Sequence, residues 1–231
     1  MTNVAEISKS LLRKAVGAAY RLDFAIFGRP FDRYFKAVER EVCSSCSSLL
    51  DVGCGEISPI SRFRKRLPYT VGVDAFEPAL VKSRNLRIHD ENLCANVLEI
   101  GDRFPERSFD CVIALDVIEH LTKENGLRLL KTMERIARKK VVVSTPNGFL
   151  PQDAVDGNPL QCHQSGWEVE EMRRMGYRVL GMSGWQPLRG AEAKPAWRPY
   201  FLCDRLSRLT ELFFEQHPKH AFQILCIKDV A

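Results

Sequence analysis

The stretch LLDVGCGEIS at residues 49–58 decides how the rest of the chain is read. It opens on an apolar run, carries an acid at Asp51, and turns through Gly53 and Gly55 before Ser58 and Pro59. The apolar run suits a buried strand. Ser58 and Pro59 are an N-cap and first-turn pair, so a helix is expected to follow the turn. Strand, glycine turn and helix together open many nucleotide-binding α/β domains. A dinucleotide fingerprint would place a third glycine at position 58, where this chain has serine, and a lone G-x-G is a weak signal.

Its context strengthens it. The next strand, TVGVD, ends on Asp74, 19 residues beyond Gly55. A carboxylate there can accept from both hydroxyls of a ribose. A tight turn with Asp74 merely beginning a loop explains either feature singly, but not the two in register. A nicotinamide dinucleotide needs its pyrophosphate at the helix N-terminus, and Asp51 at the mouth of the turn would repel it. A nucleoside bearing a cationic amino group would instead favour that carboxylate. S-adenosylmethionine, with its sulfonium and α-amino group and no phosphate, is such a molecule.

From residue 48 onward strands and helices alternate. SLLDV, TVGVD, NLCANV, FDCVIALD, KVVVST, YRVLGMS and AFQILCIKD give seven expected strands. Helices are expected after Ser58, after Glu77 at Pro78, over a long segment carrying Leu127, Leu130, Met133, Ile136 and Ala137 on one face, and over GWEVEEMRRM. This alternation predicts an α/β fold, a Rossmann-like doubly wound sheet that is mostly parallel with helices on both faces. One domain over 1–231 is expected, with residues 1–43 as an N-terminal helical extension and 44–231 as the core. In the extension, an amphipathic helix over 6–27 has Leu11, Leu12, Ala15, Val16, Ala19, Leu22 and Ile26 in one stripe. It either packs on its own domain or lies on a membrane surface as a peripheral contact. A second helix is expected at about 31–42. Residues 185–220, rich in proline, tryptophan and basic residues, interrupt the path to the last strand as a substrate-side insertion or a surface excursion.

Composition narrows the setting. The chain has 231 residues, 45% of them hydrophobic and 27% charged, with a formal net charge of +5. That is ordinary for a globular domain, and mild basicity permits an anionic partner without requiring one. No apolar run reaches the roughly 18 residues that span a bilayer. The eight cysteines are scattered and no secretory signal is visible, so a reducing, cytoplasmic setting is expected. Cys54, Cys94, Cys111 and Cys226 lie in apolar runs as small core residues. Cys43 and Cys46 have metal-like spacing but lack a second pair.

LDVGCG, VGVDAFEP, SFDCVIALDVIEHL and VVVSTPNGF, in this order and spacing, resemble the class I S-adenosylmethionine-dependent methyltransferases, in the branch that acts on small molecules. The resemblance runs from about residue 44 to the end. It implies a seventh strand antiparallel to the rest and S-adenosyl-L-methionine as cofactor, released as S-adenosyl-L-homocysteine. By the same resemblance Asp51, Gly53, Cys54 and Gly55 would line the methionine end, Asp74 would hold the ribose, and Ala75 or Phe76 would lie against the adenine. Asn96 stands where the family usually has an aspartate, followed by Val97, and Leu115 and Asp116 close the cofactor side at the end of strand four. The implied reaction is methyl transfer to O or N of a small-molecule or lipid-like acceptor.

Methyl transfer is an in-line displacement at an activated carbon, so alignment does most of the work and a base matters chiefly for hydroxyl acceptors. Glu119, His120 and His163 are the candidate catalytic residues. Asp116, Glu119 and His120 would share one face of a helix, and His163 lies in the loop after strand five. Together the four could ligate a divalent metal. Against this, Asp116 and Glu119 also have capping-box spacing. A metal-dependent RNA ribose 2'-O-methyltransferase and a non-catalytic cofactor-binding module are the alternatives. A nucleic-acid partner is disfavoured because the basic residues form no evident stripe. Trp167 and Trp185 either wall an acceptor pocket or pack in the core.

Overall fold

The structure, a computed structural model, describes residues 31–154, 157–190 and 193–230. The helix expected over 6–27 lies outside the described residues. Seven strands form one sheet: β1 (Ser48–Val52), β2 (Tyr69–Asp74), β3 (Glu91–Cys94), β4 (Phe109–Leu115), β5 (Ala137–Pro146), β6 (Arg178–Trp185) and β7 (Ala221–Asp229). Their order is β3-β2-β1-β4-β5-β7-β6. β1 runs parallel to both β2 and β4, so the strand order reverses between β1 and β4, where open α/β sheets bind ligands at the strand C-termini. β7 is antiparallel to β5 and β6, as the family resemblance implies. Its register pairs Gln223 with Pro146, so the start of β7 meets the C-terminal end of β5.

Both faces of the sheet are covered, because successive strand residues point to opposite sides and both sets are apolar. Leu50, Val52, Val112, Val141, Val143 and Ile224 pack on one side with α4 (Lys123–Ile136), through Leu129, Leu130, Met133 and Ile136. Leu49, Cys111, Ile113, Val142 and Leu225 pack on the other with Tyr34, Ala37, Val38 and Val42 of α1 (Asp32–Cys43). The remaining helices are α2 (Glu77–Leu86), the short α3 (Ile100–Arg103) and α5 (Val169–Arg174), and α6 (Tyr200–Gln216). α6 crosses β6 at two glycines. A Cβ on Gly181 would lie 2.1 Å from the Phe214 carbonyl oxygen, and one on Gly184 would lie 2.2 Å from that of Ser207.

Several local expectations change. After Ser58 there is no α-helix: its hydroxyl caps Ile60 N, but only 3-10 turns follow at Pro59–Arg62 and Arg64–Arg66. The third strand stops at Cys94, and Asn96 starts a 3-10 turn by accepting from Leu98 N. Ala137 leaves the helix and begins β5. Cys94 is exposed, unlike the buried Cys54, Cys111 and Cys226. Cys43 and Cys46 are free thiols.

Candidate active site

The glycine turn spends its own donors. Gly53 N and Cys54 N both donate to Val73 O, at 2.7 and 3.0 Å, and Gly55 N donates to Asp74 Oδ2 at 2.9 Å. Three consecutive N–H groups that would cradle a phosphate are therefore committed within the fold. Gly53 and Gly55 both have positive φ, at 72° and 58°. A Cβ on Gly53 would meet Val117 Cγ2 at 2.5 Å, whereas over Gly55 it would meet nothing within 4 Å. Gly53 is thus needed for packing against the turn after β4, and Gly55 borders open space.

Beneath the turn, Asp51 is buried and pairs with His89, Nε2 to Oδ2 at 3.0 Å. The imidazole fits there because Gly72, the register partner of Asp51 on β2, has no side chain. A Cβ on Gly72 would sit 2.7 Å from His89 Nδ1 and 2.9 Å from Cys54 Sγ. His89 is a site residue that the sequence reading missed. The available signal was Gly72 itself, since a glycine inside an apolar strand often marks the close approach of another group.

Two clefts meet at Gly55. One, of about 470 Å³, is bordered by Asp51, Gly53, Cys54, Leu115 and Asp116; the other, of about 460 Å³, by Asp74, Phe76, Ala79 and Lys82. Gly55 and Gln161 line both. Asp74 accepts Gly55 N on Oδ2 and Phe76 N on Oδ1, at 2.9 and 2.8 Å. Each oxygen keeps a second acceptor site, and the backbone bonds fix the carboxylate's orientation. An adenosine with a cationic amino acid arm fits this donor and acceptor set, with acids in both clefts and no phosphate cradle. Neither Asn96 nor Val97 borders either cleft, and Ala75 is exposed beside them.

The turn after β4 carries the candidate catalytic residues. Asp116 takes a left-handed φ of 57°, and residues Ile118–His120 form a 3-10 turn capped by no side chain. The expected helical face and the Asp116 capping box are therefore absent; α4 starts later, with Thr122 accepting from Asn125 N. Asp116 Oδ1 instead accepts from Ser144 Oγ at 3.1 Å and Gln223 Nε2 at 2.7 Å. Tyr34 OH lies 2.9 Å from the same Ser144 hydroxyl, so one polar chain links α1, β5, β7 and Asp116. The Asp116 side chain is open to the cleft but ringed by protein elsewhere. Burial raises its carboxyl, and the Gln223 and Ser144 bonds act in the opposite direction.

Glu119 is 2% exposed, and its Oε2 has no hydrogen-bond partner. Burial first, and the Asp116 carboxylate second, push its carboxyl well above the ordinary range. His120 stands beside it, and burial together with His163 lowers the ring to about 4, so it is neutral at physiological pH. The loop after β5 is stitched to this turn: Gln164 N and Ser165 N donate to Glu119 O, and Gln164 Nε2 donates to His120 O at 2.7 Å. These bonds bring His163 onto His120, with ring centroids 4.8 Å apart. His163 Nδ1 lies 2.6 Å from Leu150 O. A carbonyl only accepts, so Nδ1 carries the hydrogen and Nε2 of the neutral ring holds a lone pair. One ligand atom from each of Glu119, His120 and His163 falls within 4.8 Å of the others. Asp116 stands outside this trio. Trp167 is fully buried against Gly126, and Trp185 is half-exposed; neither lines a cleft.

Comparison with known proteins agrees with the geometry. The family described as "Methyltransferase domain" matches residues 50–144, which run from β1 through the glycine turn into β5. The ubiquinone biosynthesis O-methyltransferase of Rhodopseudomonas palustris is 28% identical over 127 residues, covering 46% of this chain and 47% of that protein, so the match spans about half of the curated relative. A crystallised SAM-dependent methyltransferase from Archaeoglobus fulgidus superposes with a TM-score of 0.56 at 17% identity, over 91% of this chain and 99% of that one. Magnesium protoporphyrin IX methyltransferase from Synechocystis, crystallised with SAM, superposes with a TM-score of 0.51 at 12% identity, over 91% of this chain and 79% of the other. The two structural likenesses concern the fold; the family match covers the motif-bearing residues 50–144. Together they give the likeness its extent: residues 50–144 match the methyltransferase domain family, and the fold is like that of solved S-adenosylmethionine-dependent methyltransferases.

Proposed function

We propose that this methyltransferase methylates a hydroxyl oxygen of a small, largely apolar, lipid-like acceptor. The observation that carries this reading is the convergence of Glu119, His120 and His163 on the cleft that Asp51 and Gly55 also line. S-adenosylmethionine supplies the electrophilic methyl group. Asp51, held by His89, would receive its amino group; Asp74 would take the ribose hydroxyls, with Phe76 against the adenine and Ala75 at the rim. Asn96 and Val97 would contribute only at the edge, because the Asn96 side-chain oxygen already accepts from Leu98 N.

Phe31, Tyr34, Leu150 and Phe222 give the cleft an apolar wall that suits a hydrocarbon-rich acceptor. His163, with Nδ1–H committed to Leu150 O, offers Nε2 to take the proton of an acceptor hydroxyl as the oxygen attacks. Exclusion of water by the aromatic wall and in-line alignment account for most of the rate. The same trio supports a second reading. Two imidazoles and a buried glutamate oxygen without a hydrogen-bond partner could hold a divalent cation, which would polarise the acceptor hydroxyl, with Asp116 holding the turn from outside.

The test is S-adenosylhomocysteine release with apolar alcohols and phenols, matching amines, and RNA, each with and without chelator. Turnover of hydroxyl acceptors that survives chelation supports His163 as base. Turnover lost to chelator and restored by Mg²⁺ or Mn²⁺ supports the metal. Methylation of amines alone, of RNA alone, or cofactor binding without any turnover would overturn the acceptor class.

A further inference from the structure

We propose that the outward face of α6 docks on an anionic lipid membrane. Every exposed residue of this helix except Gln216 is apolar or aromatic. Phe201 is 61% exposed, Leu209 52%, Leu212 64% and Phe213 59%, with Leu202 and Leu206 beside them. The spacing 202, 206, 209, 213 is one helical stripe. Buried packing does not account for it, because the inward face is a separate set: Cys203, Ser207, Arg208 and Glu211.

The charges of α6 are sorted to match. Its three acids point away from the stripe. Asp204 pairs with Arg208 at 2.9 Å and lies 3.7 Å from Arg189; Glu211 is buried; Glu215 reaches Arg33 and Arg40 of α1 at 3.5 and 3.7 Å. Among the described residues, the exposed charges flanking the stripe are basic, with Arg198 before it and Lys219 after it. Arg198 lies over the Tyr200 ring, and the exposed Trp197 precedes it. An apolar strip with aromatic and cationic ends is the pattern of an interfacial helix on anionic lipid. A second copy of this chain fits less well, because symmetric pairing of the stripe would set these basic ends against each other in either helix orientation.

The surface lies next to the cleft. Ala193, on the segment leading into α6, lines the cleft wall, and so does Phe31. The Arg189 guanidinium, which donates to Ser207 of α6, sits 5.0 Å from the centre of the Phe31 ring. Docking would therefore hold the cleft at the bilayer surface, whichever acceptor it takes.

Flotation of the full chain with vesicles tests this. The wild type is expected to float with phosphatidylcholine vesicles containing phosphatidylglycerol, less with phosphatidylcholine alone, and less as salt rises. The pair Leu206→Glu and Phe213→Glu should cut vesicle binding about tenfold or more. Leu206→Ser with Phe213→Ser should cut it in the same direction. Both variants should keep the thermal shift given by S-adenosylhomocysteine, which separates loss of docking from loss of the fold or of the cofactor site. Absence of wild-type binding, equal binding by the variants, or a wild-type dimer that the variants dissolve would each overturn the proposal.

Discussion

Gly72 costs β2 a packing side chain, and the room it leaves is taken by the His89 ring beside Asp51. Gly72→Ala is expected to destabilise the protein by about 1–3 kcal/mol, the usual cost of forcing a methyl group into a full core, and to weaken cofactor binding. Denaturant unfolding and calorimetry with S-adenosylhomocysteine would check both; unchanged affinity would separate His89 from the site. Asp74→Ala should weaken the same ligand about tenfold or more, because a charge-assisted hydrogen bond contributes about 1.5–3 kcal/mol. Equal affinity in calorimetry would remove Asp74 from the ribose role. His163→Ala should lower turnover while leaving cofactor affinity within about twofold, since its hydrogen bonds run to the backbone of its own loop and not to the glycine turn proposed for the donor. Asp51, Gly53, Gly55 and Asp74 were legible because each sits at a fixed distance from a strand end. His89, Tyr34, Ser144 and Gln223 were not, because each arrives from an element distant in sequence and looks like ordinary core or loop on its own strand or helix.

Periodic, apolar elements were readable, and those governed by polar bonds were not. β7 spans the expected nine residues, Ala221–Asp229, and α1 and α4 lie close to their expected places. The turn at Asp116 defeated the helical reading because its residues spend their hydrogen bonds on β5, β7 and the loop after β5, a competition that no local pattern reveals. The direction of the charges on α6 was not legible either. Glu211 shows the consequence. Burial, opposed by Arg189, Arg33 and Arg208, pushes its carboxyl up to about 7. The folded state then binds a proton between about pH 4.5 and 7 that the unfolded state has released, so this group's contribution falls as pH rises through that window. Glu211→Gln removes the dependence. Its stability relative to wild type should rise by about 2–4 kcal/mol from pH 4 to pH 8, by the linkage of roughly 1.4 kcal/mol per unit. A pH-independent difference in thermal unfolding would contradict the buried setting of this carboxyl.

At the scale of the molecule, strand–helix alternation made the sheet legible, but not its order. The return of the chain from β3 to pair β4 with β1, and the insertion of β7 between β5 and β6, follow from long-range pairing, and they put Gln223 and Phe222 in the cleft with the glycine turn. That arrangement joins a turn with no phosphate cradle, two acids in adjoining clefts, and a histidine–carboxylate cluster in a single site. The central claim is that this site was built for a cationic nucleoside and not for a dinucleotide. Thermal unfolding with S-adenosylhomocysteine, S-adenosylmethionine and NAD in parallel tests it most directly. At about 100 times its dissociation constant a ligand adds roughly 2.7 kcal/mol, which for a chain of this size raises the midpoint by about 5–10 °C. The account predicts that shift with both sulfur ligands and none with NAD. A shift with NAD, or none with either sulfur ligand, would contradict it.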